Sequence, residues 1–336
     1  MNTALARGTL ALAVVALSAS AYGQTTSTSS APALSTSKGQ AYPTKPVRVV
    51  VAFAAGGLAD GIARLIGQKL SDRMGQPVVI DNRGGAGGNI GARIVAGAPS
   101  DGYTMLVNTA AMSINVSFYK NPGFAFKDFT PVAFTASTPG IFAVHASNRA
   151  GSLQELIRSA KGRNVTYATA GIGSSSHLAG HYLLHALAGL DATHVPYQGG
   201  GPATAAALAN QVEVLSLSMP PVVPHVKGGR LKGLAISSLT RVAALPAVPT
   251  VSESGFPGFE ERSWVGYFVP AGTPAAIVKK LNAEINLALA QPDVIARLQS
   301  LGLEPRPLSP NDFAAYVRAE VAKWAKIIKT IGITPN

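Results

Sequence analysis

From residue 42 onward, short apolar runs alternate with stretches of helical period, and this alternation narrows the possible folds more than any other property of the chain. Residues 47–53 form an apolar run broken only by Arg48. Residues 54–59 are small or apolar, and from Asp60 the apolar positions Ile62, Ile66, Leu70 and Met74 recur every four residues, as on one helix face. Gly75 stops that helix and Pro77 follows. Strand-like runs at 78–80 and 103–107 flank the glycine-rich segment 83–88 and a short helix over 89–98. The pattern resumes after residue 140. Ser152 and Glu155 have capping-box spacing at a helix start. Strands are expected at 165–168, 193–197, 212–218 and 231–237, with helices from His177 and after Gly199-Gly200-Gly201-Pro202. The tail is helical over 274–290, 293–301 and 311–331, where Phe313, Val317, Val321, Trp324 and Ile328 form a core-packing stripe. Strands at this spacing, joined by helices, imply mostly parallel sheets flanked by helices. The fold class is α/β, with two βα sets divided near residue 140.

The beginning of the chain reads as a leader. Arg7, an apolar run over 10–17 and Ala19-Ser20-Ala21 match a charged n-region, h-region and cleavage site. The run is shorter than the roughly 20 residues that span a bilayer. Residues 1–21 are therefore expected to be a signal peptide, and the Ser/Thr/Ala-rich residues 22–41 a flexible linker. Export to the periplasm follows. The absence of cysteine closes disulfide and thiol chemistry. A net charge of +12 raises nucleic acid as a partner. Charged residues are only 13% of the chain, however, and no basic run is interleaved with aromatics, so small anions fit better.

One device recurs. Four expected strands end in small-residue loops that enter helices, at 54–60, 83–89, 171–177 and 198–202. Helix starts carry unpaired N–H groups and partial positive charge, and small residues admit a ligand to that backbone. In open α/β sheets, ligands bind at such strand ends. Gly56-Gly57 and Gly87-Gly88 facing Ser174-Ser175-Ser176 would make a two-sided anion clamp. Asp60 is expected at the helix start, where its carboxylate can cap N–H groups and fix the Gly56-Gly57 loop, or accept a bond from a ligand. Gly85, Gly87, Gly88 and Gly91 do not fit a dinucleotide fingerprint, and no P-loop exists. Residues 173–177 lack the last glycine of a nucleophile elbow. A hydrolase is the enzyme alternative, although no spacing joins Ser175 and His177 to an Asp as a triad. His177, His181 and His185 recur every four residues. Zinc is one reading; a solvated helix face without metal is favoured, because that helix holds no acid. No cofactor is expected.

The stretches YPTKPVRVVVAF, GQPVVIDNRGGAGGNIGA, APSDGYTMLV, GSSSHLAG, HVPYQGG, LPAVPTVSESGFPGFE and FVPAGTP carry a resemblance. Over nearly all of residues 42–333 the sequence resembles the Bug-type periplasmic receptors of tripartite tricarboxylate transporters. That resemblance implies a type II-like two-domain periplasmic binding protein, with crossing segments near 131–146 and 262–270. Domain 1 would be 42–139 plus 263–336, and domain 2 would be 140–262. It implies a small carboxylate held by backbone groups and waters, and a monomer serving membrane transporter subunits or, alternatively, a sensor kinase. The positions matching its contact loops are Ala54, Ala55, Gly56, Gly57 and Asp60; Gly87, Gly88 and Asn89; Asn108, Thr109 and Ala110; Ser137; and Gly171, Ser174, Ser175, Ser176 and His177, with Ser218 on a further strand. This sequence departs from the pattern at Ala52, Ala54 and Ala55, where prolines are usual, and at Ala59, where threonine is usual. Leu217-Ser218 stands where Asp-Asn is common, so the pocket is expected to be less polar there.

Overall fold

The computed structural model describes residues 42–334; the leader and linker expectations lie outside them. The first βα units form as the periodicity requires. Strand β1 (Val47–Val51) leads into α1 (Leu58–Met74), whose buried face carries Ile62, Ile66 and Leu70. Gly75 ends α1 in the left-handed region, where a side chain would be strained. Then come β2 (Val78–Asn82), α2 (Asn89–Ala96), β3 (Thr104–Thr109) and α3 (Ala111–Phe118). The 17-residue strand β4 (Phe129–His145) leads into the next set. That set comprises α4 (Leu153–Ala160), β5 (Val165–Thr169), α5 (Ser175–His181), β6 (Ala192–Pro196), α6 (Gly200–Leu208), β7 (Val214–Ser218), α7 (Val223–Lys227) and β8 (Leu231–Ile236). The return strand β9 (Arg262–Pro270) leads to α8 (Ala275–Leu289), α9 (Pro292–Ser300), β10 (Glu304–Pro305) and α10 (Pro310–Ile331).

One curled sheet runs in the order β2-β1-β3-β9-β4-β7-β5-β6, with β8 and β10 also paired to β4. It is parallel towards both ends, β1 with β2 and β3, β5 with β6 and β7. The middle is antiparallel, because β4 and β9 run in opposite directions. Strand β4 belongs to both halves: Phe129–Pro139 pairs with β9, and Gly140–Ala143 with β7. Its register slips at Pro131/Ala133, Phe134/Ala136 and Phe142/Ala143, irregularities that bend and twist a strand.

The cores divide accordingly. Val49, Ile66, Leu106, Trp264 and Phe313 belong to one cluster. Beyond residue 140, Phe142, Leu153, Tyr167 and Leu184 cover one sheet face, and Ile141, Ala206, Leu215 and Val223 the other. Helix α10 docks through Phe313, Val317 and Trp324, the buried part of the expected stripe. A Cβ on Gly266 of β9 would stand 2.2 Å from the Phe313 ring, so that glycine makes the seat. The capping box at α4 forms in part: Ser152 Oγ accepts from Glu155 N–H at 3.2 Å, while the Glu155 carboxylate accepts from Gly151 N–H, one residue before the cap. Among the described residues, no helix is long and apolar enough to cross a membrane.

Candidate ligand-binding cleft

The small-residue loops gather at one place, and their pairing follows expectation for the Gly87 turn, which meets the 171–177 loop, but not for Gly56-Gly57. The Ala54–Gly57 backbone faces residues 198–201 instead of the serine loop. Ala54 N–H donates to Gln198 C=O at 2.8 Å. A Cβ on Gly57 would lie 3.0 Å from Gly200 N, and one on Gly201 would lie 2.1 Å from Ala55 O. The Gly87 turn meets the loop after β5, since a Cβ there would lie 2.1 Å from Ile172 O. Gly87 and Gly88 have φ of +61° and +96°, which glycine adopts without strain. Only glycine permits these approaches of backbone to backbone.

Between the loops lies a cavity of about 30 Å³ lined by Phe53, Leu58, Ala59, Thr109, Ala170, Ser174, Ser175, Ser176, Gly200, Ser218 and Ser263. That volume holds a water or two, so the loops must part to admit an organic acid. No lining residue is charged; six carry hydroxyls, and the rest are apolar or glycine. Of the expected positions, Thr109, Ser174, Ser175, Ser176 and Ser218 line the cavity. Gly56, Gly57, Gly87 and Gly171 shape the loops around it. Leu58 and Ala59 lie inside the expected 54–60 loop, while Phe53, Ala170, Gly200 and Ser263 were missing from the expected set. Gly200 sat in a loop already singled out for its glycines. Ser263, in the return strand, had only its place in a crossing segment to mark it.

Several expected residues bond to the loops themselves. Asp60 is not the N-cap of α1: Gly57 is, and Asp60 is the third helical residue, 4% exposed. Its carboxylate accepts from Gly56 N–H at 2.9 Å and from Arg64 Nε at 3.1 Å. Burial works to raise the Asp60 pKa, but hydrogen bonds from Arg64, Gly56 and Asn82 together bring it below the usual value. It braces the loop from behind. Asn89 accepts from Asn115 Nδ2 at 2.7 Å, and the same amide donates to Gly87 C=O at 2.9 Å. Asn108 Oδ1 accepts from Thr109 N–H at 2.8 Å, and Ala110 is fully buried. Ser137 pairs through β4 with Trp264 and Glu304 and is not among the lining residues.

Helix α5 begins at Ser175, two residues before expectation, with Ser174 as its N-cap. Ser174 Oγ accepts from His177 N–H at 3.2 Å and donates to Gly171 C=O at 2.6 Å. Ser176 Oγ accepts from Ala170 N–H at 3.2 Å. The Ser175 side chain is buried, 7% exposed, so the serine loop is not a surface loop.

The histidine row is not a solvated face. His177 is 6% exposed, and its ring stacks on His194 of β6 at 4.1 Å. His181 and His185 pack together at 4.7 Å, the latter on a π-helical turn, Tyr182–Leu187, that extends α5. Burial first, then repulsion from His194, His181 and His185, depresses the His177 pKa to about 3. Burial and the neighbouring His181 and His185 take His194 to about 4. The rings are held by local partners: His177 Nδ1 accepts from Gly173 N–H at 3.3 Å, and His194 Nε2 meets Thr169 Oγ1 at 2.7 Å. Among the described residues, no three His, Asp or Glu side chains are arranged to hold a metal ion.

Backbone loops meeting over an uncharged, hydroxyl-lined cleft suit the capture of a small polar solute. A family model described as the tripartite tricarboxylate transporter family receptor matches residues 62–333. The protein belongs to that family. It is 35% identical to the periplasmic binding protein BugD, with a TM-score of 0.85, covering 88% of this sequence and 100% of that one. An adipate-bound protein of R. palustris is 36% identical, with a TM-score of 0.84 over 88% of this sequence and 100% of that one. Malate-bound MatC from Rhodopseudomonas palustris is 35% identical, with a TM-score of 0.81 over 85% and 100%. The α/β fold is thus that of two-domain periplasmic binding proteins, and the family is one of solute-binding receptors, not enzymes.

Proposed function

We propose that this protein is a periplasmic receptor, exported behind a cleaved leader, that captures a small carboxylate-bearing solute and delivers it to a tripartite tricarboxylate-type membrane transporter. Residues 42–139 with 263–336 would form one domain and 140–262 the other, with the ligand between them in a monomer. The observation that carries this reading is the meeting of residues 54–57 with 198–201 over a cleft lined by Thr109 and five serines. Hydroxyls and backbone N–H groups are the donors a carboxylate needs where no Lys or Arg is present. Each hydrogen bond to a charged oxygen contributes roughly 1.5–3 kcal/mol net. A handful, less the cost of ordering, gives about −8 to −12 kcal/mol, or micromolar to nanomolar affinity. The adipate- and malate-bound relatives support the ligand class.

Calorimetry with adipate and malate tests it. The wild type should bind at least one of these short acids with micromolar or tighter affinity. Gly57→Val, which drives a side chain into Gly200, and Ser175→Val, which removes a lining hydroxyl, should each weaken binding by about a hundredfold, a loss of about 2.7 kcal/mol. Unchanged affinity in both variants would place the ligand elsewhere.

A further inference from the structure

Directly behind the cleft lies a carboxyl that solute capture does not obviously need. Glu261 precedes β9 and is 8% exposed. Two residues on, Ser263 lines the cleft, and the cleft's Ser175 hydroxyl bears on the Glu261 carboxyl. A Cβ on Gly140 would stand 2.8 Å from Glu261 Oε2, so that glycine in β4 leaves the carboxyl its room. Oε1 is buried without a hydrogen-bond partner.

The carboxyl is short of hydrogen-bond donors. Ser237, just past β8, accepts from Gly140 N–H at 2.7 Å and donates its one hydroxyl proton to the Glu261 backbone carbonyl at 2.6 Å. The Ser237 oxygen also stands 3.3 Å from Glu261 Oε2. With the hydroxyl proton shared with the shorter bond, Ser237 donates only weakly to Oε2, and a proton on Oε2 would turn that contact into a full hydrogen bond. Glu260 and Lys326 share a neighbouring pocket with Glu261, and the two cations that act on its carboxyl are engaged elsewhere. On α10, Lys323 pairs with Glu320 at 3.2 Å, and on β9 Arg262 pairs with Glu304 of β10. Burial raises the Glu261 pKa, and Ser175, Ser237, Lys323 and Arg262 oppose it without reversing the shift.

We propose that Glu261 is a proton-holding specificity residue of the cleft: with its proton it tolerates an anion beside Ser175, and without it it expels that anion. The proposal rests on the carboxylate-receptor reading. A buried negative charge one serine behind a bound anion repels it through a poorly screened medium. Anion binding and Glu261 protonation therefore favour each other, and affinity falls as pH rises through the titration of this carboxyl.

The test is adipate calorimetry from about pH 6.5 to about pH 9 on wild type and Glu261→Gln, an isosteric and permanently neutral replacement. His177 and His194 are neutral throughout that range. Wild-type affinity should fall with rising pH, by up to about tenfold per unit for one linked proton. Glu261→Gln should stay flat, within about twofold of the wild-type low-pH value. Infrared spectroscopy of the protein alone should show a protonated carboxylic-acid carbonyl band on the acid side of that titration, a band that Glu261→Gln removes. A flat wild type, an equal slope in both proteins, or no band lost in the variant overturns the proposal. If the band is present but neither protein binds adipate or malate at any pH, the receptor reading fails and takes the specificity role with it, leaving only a buried proton.

Discussion

The Asp60 carboxylate holds the first cleft loop in place without entering the cleft. It accepts from the Gly56 N–H before its helix and from Arg64 one turn later, so it ties the loop to the first turn of α1. Asp60→Ala should therefore lower stability to urea by about 1–2 kcal/mol, the cost of leaving buried donors unpaired. Carboxylate affinity should fall much less than for Gly57→Val. A loss of affinity matching Gly57→Val, with stability unchanged, would put Asp60 in direct contact with the ligand. The folded pKa is depressed, so the stabilisation is present above the unfolded value of 3.8 and lost as pH falls below it. At this scale the sequence was readable where chemistry is local. Asp60 as the residue that fixes the Gly56-Gly57 loop follows from its type and place; Ser174 as the cap of α5 does not, because in a run of three serines each can cap equally well.

Among the elements, the pairing of α5 with β6 has the clearest consequence. Four imidazoles share a side pocket with Tyr167, and burial and mutual repulsion hold His177 and His194 neutral. Their folded pKa values lie below the unfolded 6.5, so the unfolded polypeptide binds more protons between the two. Stability is full above about pH 6.5 and declines as pH falls towards 4 and 3, by a few kcal/mol in total. Thermal unfolding across that range should show the decline, and His194→Gln should lessen it. An equal decline in that variant would assign acid sensitivity to other groups. The spacing of His177, His181 and His185 was visible in the sequence, but their fourth partner comes from a strand beyond the helix. The π-helical turn also breaks the regular period assumed for them. The βα units read within a few residues because their apolar period reports burial. Helix α3 escaped because it starts two residues after β3 with no side-chain cap and is buried nearly all round. The full span of β4 was obscured by Pro131 and Pro139, which normally argue against a central strand.

Across the whole molecule, closure is made by backbone against backbone. A cavity of about 30 Å³ cannot admit adipate unless residues 54–57 separate from 198–201. Solution scattering should show a more compact wild type with adipate than without it. Gly57→Val should keep the larger radius in both conditions, because its side chain wedges the contact with Gly200. A variant that compacts with ligand like wild type would show that this contact does not limit closure.

The return of the polypeptide through β9 also fixes an order of assembly. Strands β1 and β3 are made early, yet β3 waits for β9, and their shared core waits for Phe313 and Trp324 of α10. The segment between β4 and β9 has its strand partners within one continuous stretch and can condense as soon as it is synthesised. A ribosome delivers α10 last, so the oldest part of the fold is the last to be covered. Until then the edge of β3 is open to aggregation, and a polypeptide truncated before Arg262 would keep it open for its lifetime.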